Sequence, residues 1–320
     1  ADVLRLWVSS VDYSADVPIG AGILRQLADV YRKVRNTSRY LLGNLHDFNP
    51  ASDAIAVADL PLLDRWMLQR TAEVMDEITE AFESYEFFRF FQLLQNFCVT
   101  DLSNFYLDIA KDRLYVSAPT DQRRRSCQTV MALIIERLAG FIAPVLCHMA
   151  EDIWQNLPYP VQETSVFQRG WPTIPSDWRN DTLSAPVQQL RDLRAAVNKV
   201  LEDCRGRQEL GASLEAAVRI DARSPELQAA LSWLNDNGDP DVDGLRDWLL
   251  VSQLQLGGEP WAEVLASHED DLALIEVSRA RGTKCERCWH YEGDVGQHPD
   301  HPHICGRCVG VLERRTHQLV

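Results

Sequence analysis

The sequence predicts a mainly α chain: a long helical bundle, then a small α/β domain, then a short C-terminal segment pinned by cysteines. Three observations predict this. Apolar residues recur at helical spacing through most of the first half. Shorter, imperfectly alternating runs occupy residues 213–280. Two Cys-x-x-Cys pairs, Cys285/Cys288 and Cys305/Cys308, stand near the end with sixteen residues between them.

The first ten residues, ADVLRLWVSS, begin inside an amphipathic pattern and read as a cut through a longer protein. From Ala21 to about His46, Leu27, Tyr31, Val34, Leu41 and Leu45 mark one helix face. A second helix is expected over Leu60–Ser84, with Pro61 in its first turn. A third covers Phe87–Tyr106 and continues towards Leu114. The fourth starts near Thr120 with Asp121 as cap and runs towards Trp154, kinked or divided at Pro144. Four long helices with short connections make a bundle. After Leu157 a Pro- and Trp-rich stretch lacks any helical period and reads as a connector lying on the bundle.

A helix is then expected over Ala185–Cys204, followed by strands at 213–220, 249–256 and 272–280, with a helix at Pro225–Leu234. The division that follows is a bundle with connector at 1–178, an α/β domain at 179–277, and a four-cysteine zinc-binding domain at 278–320.

Composition bounds the function. Hydrophobic residues make up 46% and charged ones 25%, which is globular. The balance of 32 basic against 47 acidic residues gives −15. That excludes a nonspecific coat for nucleic acid, which needs clustered cations, but leaves room for a local basic face. The longest apolar run, Leu138–Cys147, stops far short of membrane-spanning length, and the front carries no signal-peptide pattern. We therefore expect a cytoplasmic protein with no membrane partner, in which paired thiols mean metal or redox chemistry.

Cys285, Cys288, Cys305 and Cys308 are the expected ligands of one structural Zn2+. Each pair brings two thiolates to one ion, and four close its shell to water. A redox pair would show one Cys-x-x-Cys beside a βαβ unit rather than two flanking a loop. Gly306 in the second pair is expected to serve the tight turn through positive φ. His290, His298, His301 and His303 are read as solvated loop residues, and Cys98, Cys127, Cys147 and Cys204 as buried, inert thiols.

On the Ala21–His46 helix, Arg25, Arg32, Arg35 and Arg39 fall within about 80° of one another, away from the apolar face. This is either a solvated face or a surface for phosphates. Arg123, Arg124 and Arg125 repeat the pattern more weakly. Trp289 directly follows Cys288, with Arg287 before it and Arg307 in the opposite pair. It either covers the metal or stands exposed to stack on an unpaired base. No catalytic set is visible: there is no phosphate loop, nucleophile elbow or metalloprotease helix.

These residues carry a resemblance. ADVLRLWVSSVDYSADVPIG with YRKVRNTSRYLLGNL resembles the segment after the KMSKS loop in class I aminoacyl-tRNA synthetases of the isoleucine, valine and leucine group. FIAPVLCHMAEDIWQNLP resembles the end of that group's helical anticodon-binding bundle, and KCERCWHY…ICGRC is similar to the zinc domain closing the bacterial isoleucine members. The resemblance implies that the four cysteines hold zinc, that Trp289 meets the anticodon loop, and that Arg35 and Arg39 face the tRNA stem. It implies isoleucine tRNA and the enzyme's own catalytic and editing domains as partners of a monomer. ATP would bind only in the catalytic part, whose HIGH and KMSKS motifs are not in this chain, so the segment alone would not catalyse. Two other readings compete: a zinc-stabilised protein-interaction module, and the corresponding region of a valine enzyme, which shares the bundle but not the zinc end.

Overall fold

The computed structural model describes residues 1–240 and 242–318, with side chains through residue 314. It is mainly helical, with a small mixed sheet, and the chain forms two compact units. The first comprises residues 1–110 and 119–180; the second comprises 111–118 and the chain from 181 onward. No helix among the described residues is long and apolar enough to cross a membrane.

In the first unit, α1 (Asp2–Ser9) and α2 (Ala21–Gly43) lead to the single turn α3 (Pro50–Asp53) and to α4 (Leu62–Glu83). Pro61 is the N-cap of α4, just ahead of its expected place in the first turn. The stretch expected as one helix is built from three: α5 (Phe87–Asn96), a π-helical stretch (Phe97–Tyr106) and α6 (Leu107–Val116). The π geometry changes where backbone groups point. There, the Thr37 hydroxyl of α2 lies 3.4 Å from the Cys98 carbonyl and 2.9 Å from Ser103 Oγ, keying α2 to it. Residues of α6 from Lys111 onward cluster with the second unit.

α7 (Gln122–Ile142) starts where Asp121 accepts the Arg123 N–H, as its capping role requires. Pro144 then separates α7 from α8 (Cys147–Gln155). The core packs Leu27, Val34 and Leu41 of α2 with Leu63, Met67 and Ile78 of α4, Phe90 and Phe97, and Ile134, Ile135 and Leu138 of α7, all buried.

The connector lies on the bundle for identifiable reasons. Gly140 of α7 makes room for it, since a Cβ there would sit 2.4 Å from Pro172 Cγ. Trp171 sets its ring edge-on to Phe82 and Phe141, and its indole N–H donates to Thr79. Trp178 is buried beneath the Arg137 guanidinium, 5.3 Å from the ring centroid.

The Arg123–Arg125 run is not a second basic face. Arg124 is buried and grips Asp47 with two hydrogen bonds of 2.6 and 2.8 Å, and Arg125 donates to the Asp47 carbonyl. Burial opposes ionisation of Asp47, but the Arg124 and Gln128 bonds overcome it and lower its pKa to about 2.

In the second unit, α9 (Ser184–Gly206) packs on α10 (Pro225–Asn237) and on a sheet of order β2-β1-β4-β3. Its strands are β1 (Ala216–Ala222), β2 (Gln253–Leu256), β3 (Ala266–Glu269) and β4 (Ala273–Arg279). β1 and β2 run parallel, joined through α10 and α11 (Leu245–Leu249); the β1–β4 and β3–β4 pairs are antiparallel. One sheet face carries the register pairs Val218–Val277 and Ile220–Ile275 into the core. The other holds a buried ion pair, Arg219 to Glu276 at 2.8 Å, and the Gly257 and Gly258 carbonyls accept the remaining guanidinium bonds.

The run expected as a strand from Leu249 begins differently. Trp248 and Leu249 are buried by the helical turn of α11, and Leu250 takes a left-handed φ of 56° before β2 can start. β3 has no apolar alternation, and the sequence did not announce it.

Candidate metal centre and nucleic-acid interface

The C-terminal segment is a two-stranded ribbon and a helix around four thiols. β5 (Thr283–Lys284) pairs antiparallel with β6 (Tyr291–Glu292), and α12 (Gly306–Gln318) grows out of the second cysteine pair. Gly282 opens the ribbon at φ 97°, where a Cβ would meet the Glu292 carbonyl oxygen at 2.5 Å.

Cys285, Cys288, Cys305 and Cys308 are all buried, and their sulfurs lie within 4.8 Å of one another. Cys285 Sγ is 3.8 Å from Cys308 Sγ, and Cys288 Sγ is 3.7 Å from Cys305 Sγ. A tetrahedron with Zn–S bonds of about 2.3 Å has S···S edges of about 3.8 Å, so the donors fit one zinc ion. The Cys288 and Cys308 sulfurs hydrogen-bond Cys305 and hold its thiol well below the ordinary range. Val116 packs on the cluster, flanked by Val295 and Ile304. Such a shell excludes water and marks a structural centre.

Gly306 does not take positive φ. It begins α12, and its N–H donates to Asp294 Oδ2 at 2.8 Å, an approach that a Cβ would crowd at 2.7 Å. In the two Cys-x-x-Cys turns the left-handed φ falls instead on Trp289, a non-glycine residue, at 67°. Its N–H closes the turn on the Cys285 carbonyl at 2.9 Å, and the Cys285 N–H in turn donates to the His290 carbonyl. The indole is 61% exposed, so it stands out from the cluster instead of covering it.

Lys284 Nζ lies over that ring, 5.6 Å from its centroid. Lys284 was not singled out in the sequence; its place one residue before Cys285, on β5, is the signal that was there to be used. Arg307 makes two bonds to Asp112 on α6, 2.7 and 2.8 Å. Burial works against its charge, but the Asp112 bonds and charge prevail and hold the guanidinium above its ordinary value. Arg287 donates to the Val116 carbonyl at 2.6 Å.

His290 is buried, not solvated. Its Nδ1 is 3.2 Å from the Arg246 guanidinium, and burial, then the Arg246 charge, lowers its pKa. His298 and His301 are half-buried and His303 is exposed. Of the single thiols, Cys98, Cys127 and Cys204 are buried; burial pushes Cys98 up to about 12. Cys147 is only half-buried.

On α2, in the first unit, Arg25, Arg32, Arg35 and Arg39 are exposed along one face. Arg32 pairs with Asp29 one turn earlier; Arg25, Arg35 and Arg39 show no ion pair among the described residues.

Comparison with known proteins bears on both features. Residues 64–220 match the anticodon-binding domain of tRNA ligases, and residues 282–310 match the zinc finger found in FPG and IleRS. Over all 320 residues the chain is 98% identical to an isoleucine–tRNA ligase of Parasynechococcus marenigrum (strain WH8102), covering 33% of that protein. Over its whole length, the chain is thus similar to the C-terminal part of isoleucine–tRNA ligases. A Synechococcus ligase (strain CC9311) is 78% identical over 315 residues, and one from Prochlorococcus marinus (strain MIT 9301) 54% over 312; each match covers 98% of this chain and 32% of the relative. The chain thus spans about a third of the length of the curated relatives it matches. The zinc-finger match and the four-sulfur cluster together support a structural zinc ion.

Proposed function

We propose that this chain is the tRNA-binding part of an isoleucine–tRNA ligase, which attaches isoleucine to its tRNA using ATP bound in other domains. Residues 1–178 serve as the anticodon-binding bundle, 179–277 as an α/β junction, and 278–320 as the zinc-binding end. Cys285, Cys288, Cys305 and Cys308 ligate the zinc. Its partners are isoleucine tRNA and the ligase's catalytic and editing parts, and it works as a cytoplasmic monomer.

The observation that carries this reading is Trp289. A left-handed φ disfavours a residue with a Cβ by roughly 1–2 kcal/mol, and an exposed indole returns little of that through burial. A position whose backbone suits glycine holds the largest side chain, displayed beside a rigid sulfur cage with Lys284 over its face. Stacking on an unpaired, cation-flanked base is what such a platform supplies. Arg287 and Arg307 act through the position they give that platform, and Arg25, Arg32, Arg35 and Arg39 through the charge they offer to phosphates.

Filter binding of the zinc-loaded chain tests this. Isoleucine tRNA should be retained more tightly than valine tRNA. No retention of any tRNA would favour a protein-interaction module; equal retention of the two would remove the isoleucine assignment.

A further inference from the structure

The first unit contains a second cluster of metal-ligating side chains, made by Asp2 of α1 with Cys147 and His148 at the start of α8. Asp2 is buried, Cys147 half-buried and His148 71% exposed. Asp2 Oδ1 is 2.9 Å from His148 Nδ1 and 3.7 Å from Cys147 Sγ; the thiol and the ring nitrogen are 3.4 Å apart.

Part of this arrangement is a helix cap. Asp2 accepts the backbone N–H groups of His148 (3.3 Å) and Met149 (2.9 Å), as a carboxylate at a helix N-terminus does. The cap accounts for Asp2 alone. It does not require both the thiol and the imidazole to converge on the same carboxylate oxygen.

The triangle they form has the dimensions of a coordination face. A tetrahedral zinc with Zn–O and Zn–N bonds of about 2.0–2.1 Å and Zn–S of about 2.3 Å needs donors about 3.3–3.6 Å apart. The measured edges bracket that range, and a point ~0.8 Å above their plane lies ~2.1 Å from all three atoms, matching such bonds.

We propose that Asp2 Oδ1, Cys147 Sγ and His148 Nδ1 form a second divalent-cation site, for a borderline-soft ion of the zinc class, with its fourth position open to solvent. The thiolate selects against magnesium and calcium, which take oxygen donors. Binding replaces the Asp2–His148 hydrogen bond by metal bonds to Oδ1, Nδ1 and Sγ, leaves the neutral imidazole with its proton on Nε2, exposed to solvent, and releases the thiol proton to water. It also ties α1 to α8 through metal bonds as well as the cap.

The test is equilibrium dialysis of the zinc-loaded chain against buffered free Zn2+ from nanomolar to submillimolar, with metal analysis. Two ions per chain are expected, the second half-saturating in the micromolar range. Cys147→Ser and His148→Ala should each weaken the second ion by about 100-fold or more and leave the first in place, with unchanged circular dichroism. One ion per chain throughout the range would overturn the site, as would a second ion retained by the double variant. Neither result depends on whether the chain binds tRNA.

Discussion

Arg307 of α12 clasps Asp112 of α6 through two parallel hydrogen bonds of 2.7 and 2.8 Å, so the zinc-binding end is fixed by a planar, charge-assisted pair. Arg287 adds a strut to the Val116 carbonyl, the last residue of the same helix. A segment with a four-thiol core has little apolar area of its own, and these anchors substitute for it. Asp112→Ala should therefore cost about 1–3 kcal/mol, read as a lower thermal midpoint and faster zinc loss to a chelator. Arg307→Lys, which keeps the charge but not the fork, should show much of the same loss.

Removing the zinc should dismantle residues 282–310 selectively. Four buried thiols with no ion to share lose the bonds that organise the ribbon, and metal affinity in such segments is folding free energy. Hydrogen exchange after chelation should rise sharply across β5, β6 and the first turn of α12. Protection in α4 and α7, whose cores are apolar, should stay.

Acid should weaken the bundle through Asp47. Its folded pKa, about 2, lies below the ordinary 3.8. The folded state therefore binds the proton less readily than the unfolded one. The stabilisation is complete above pH 3.8 and is lost as the pH falls towards 2. The contribution is about 1–2 kcal/mol, and Asp47→Asn should flatten the pH dependence of stability across that interval.

Much of this was legible in the sequence, and the gaps have physical causes. The long helices of the bundle follow from apolar spacing, and α7 from Asp121 at its cap. What periodicity cannot show is which cations are already committed. Arg124 and Arg125 read as a basic run until Asp47, far away in sequence, is seen between them. The same holds for Arg219, whose buried partner Glu276 lies on another strand. The π-helical stretch at Phe97–Tyr106 keeps a helical pattern and is invisible to it. At the metal site the cysteines were plain from spacing, but the left-handed position in the Cys-x-x-Cys turns was misplaced: Gly306 attracted the assignment that belongs to Trp289.

The basic stripe on α2 should be felt as salt dependence. Arg35→Gln with Arg39→Gln should reduce the slope of log affinity for tRNA against log salt by about 1.4–1.8, if each side chain neutralises one phosphate. The fold should be unaffected, since both residues are exposed and carry no ion pair among the described residues. An unchanged slope would leave them as a solvated face.

The most direct measurement replaces Trp289 by glycine in the zinc-loaded chain and compares binding of the isoleucine anticodon stem-loop. Glycine suits φ 67° and removes only an exposed ring, so zinc content and thermal midpoint should be kept or slightly raised. Affinity should fall about 10- to 100-fold, the loss expected for one stacked base at about 1–3 kcal/mol. Undiminished affinity with the zinc still bound would contradict the account.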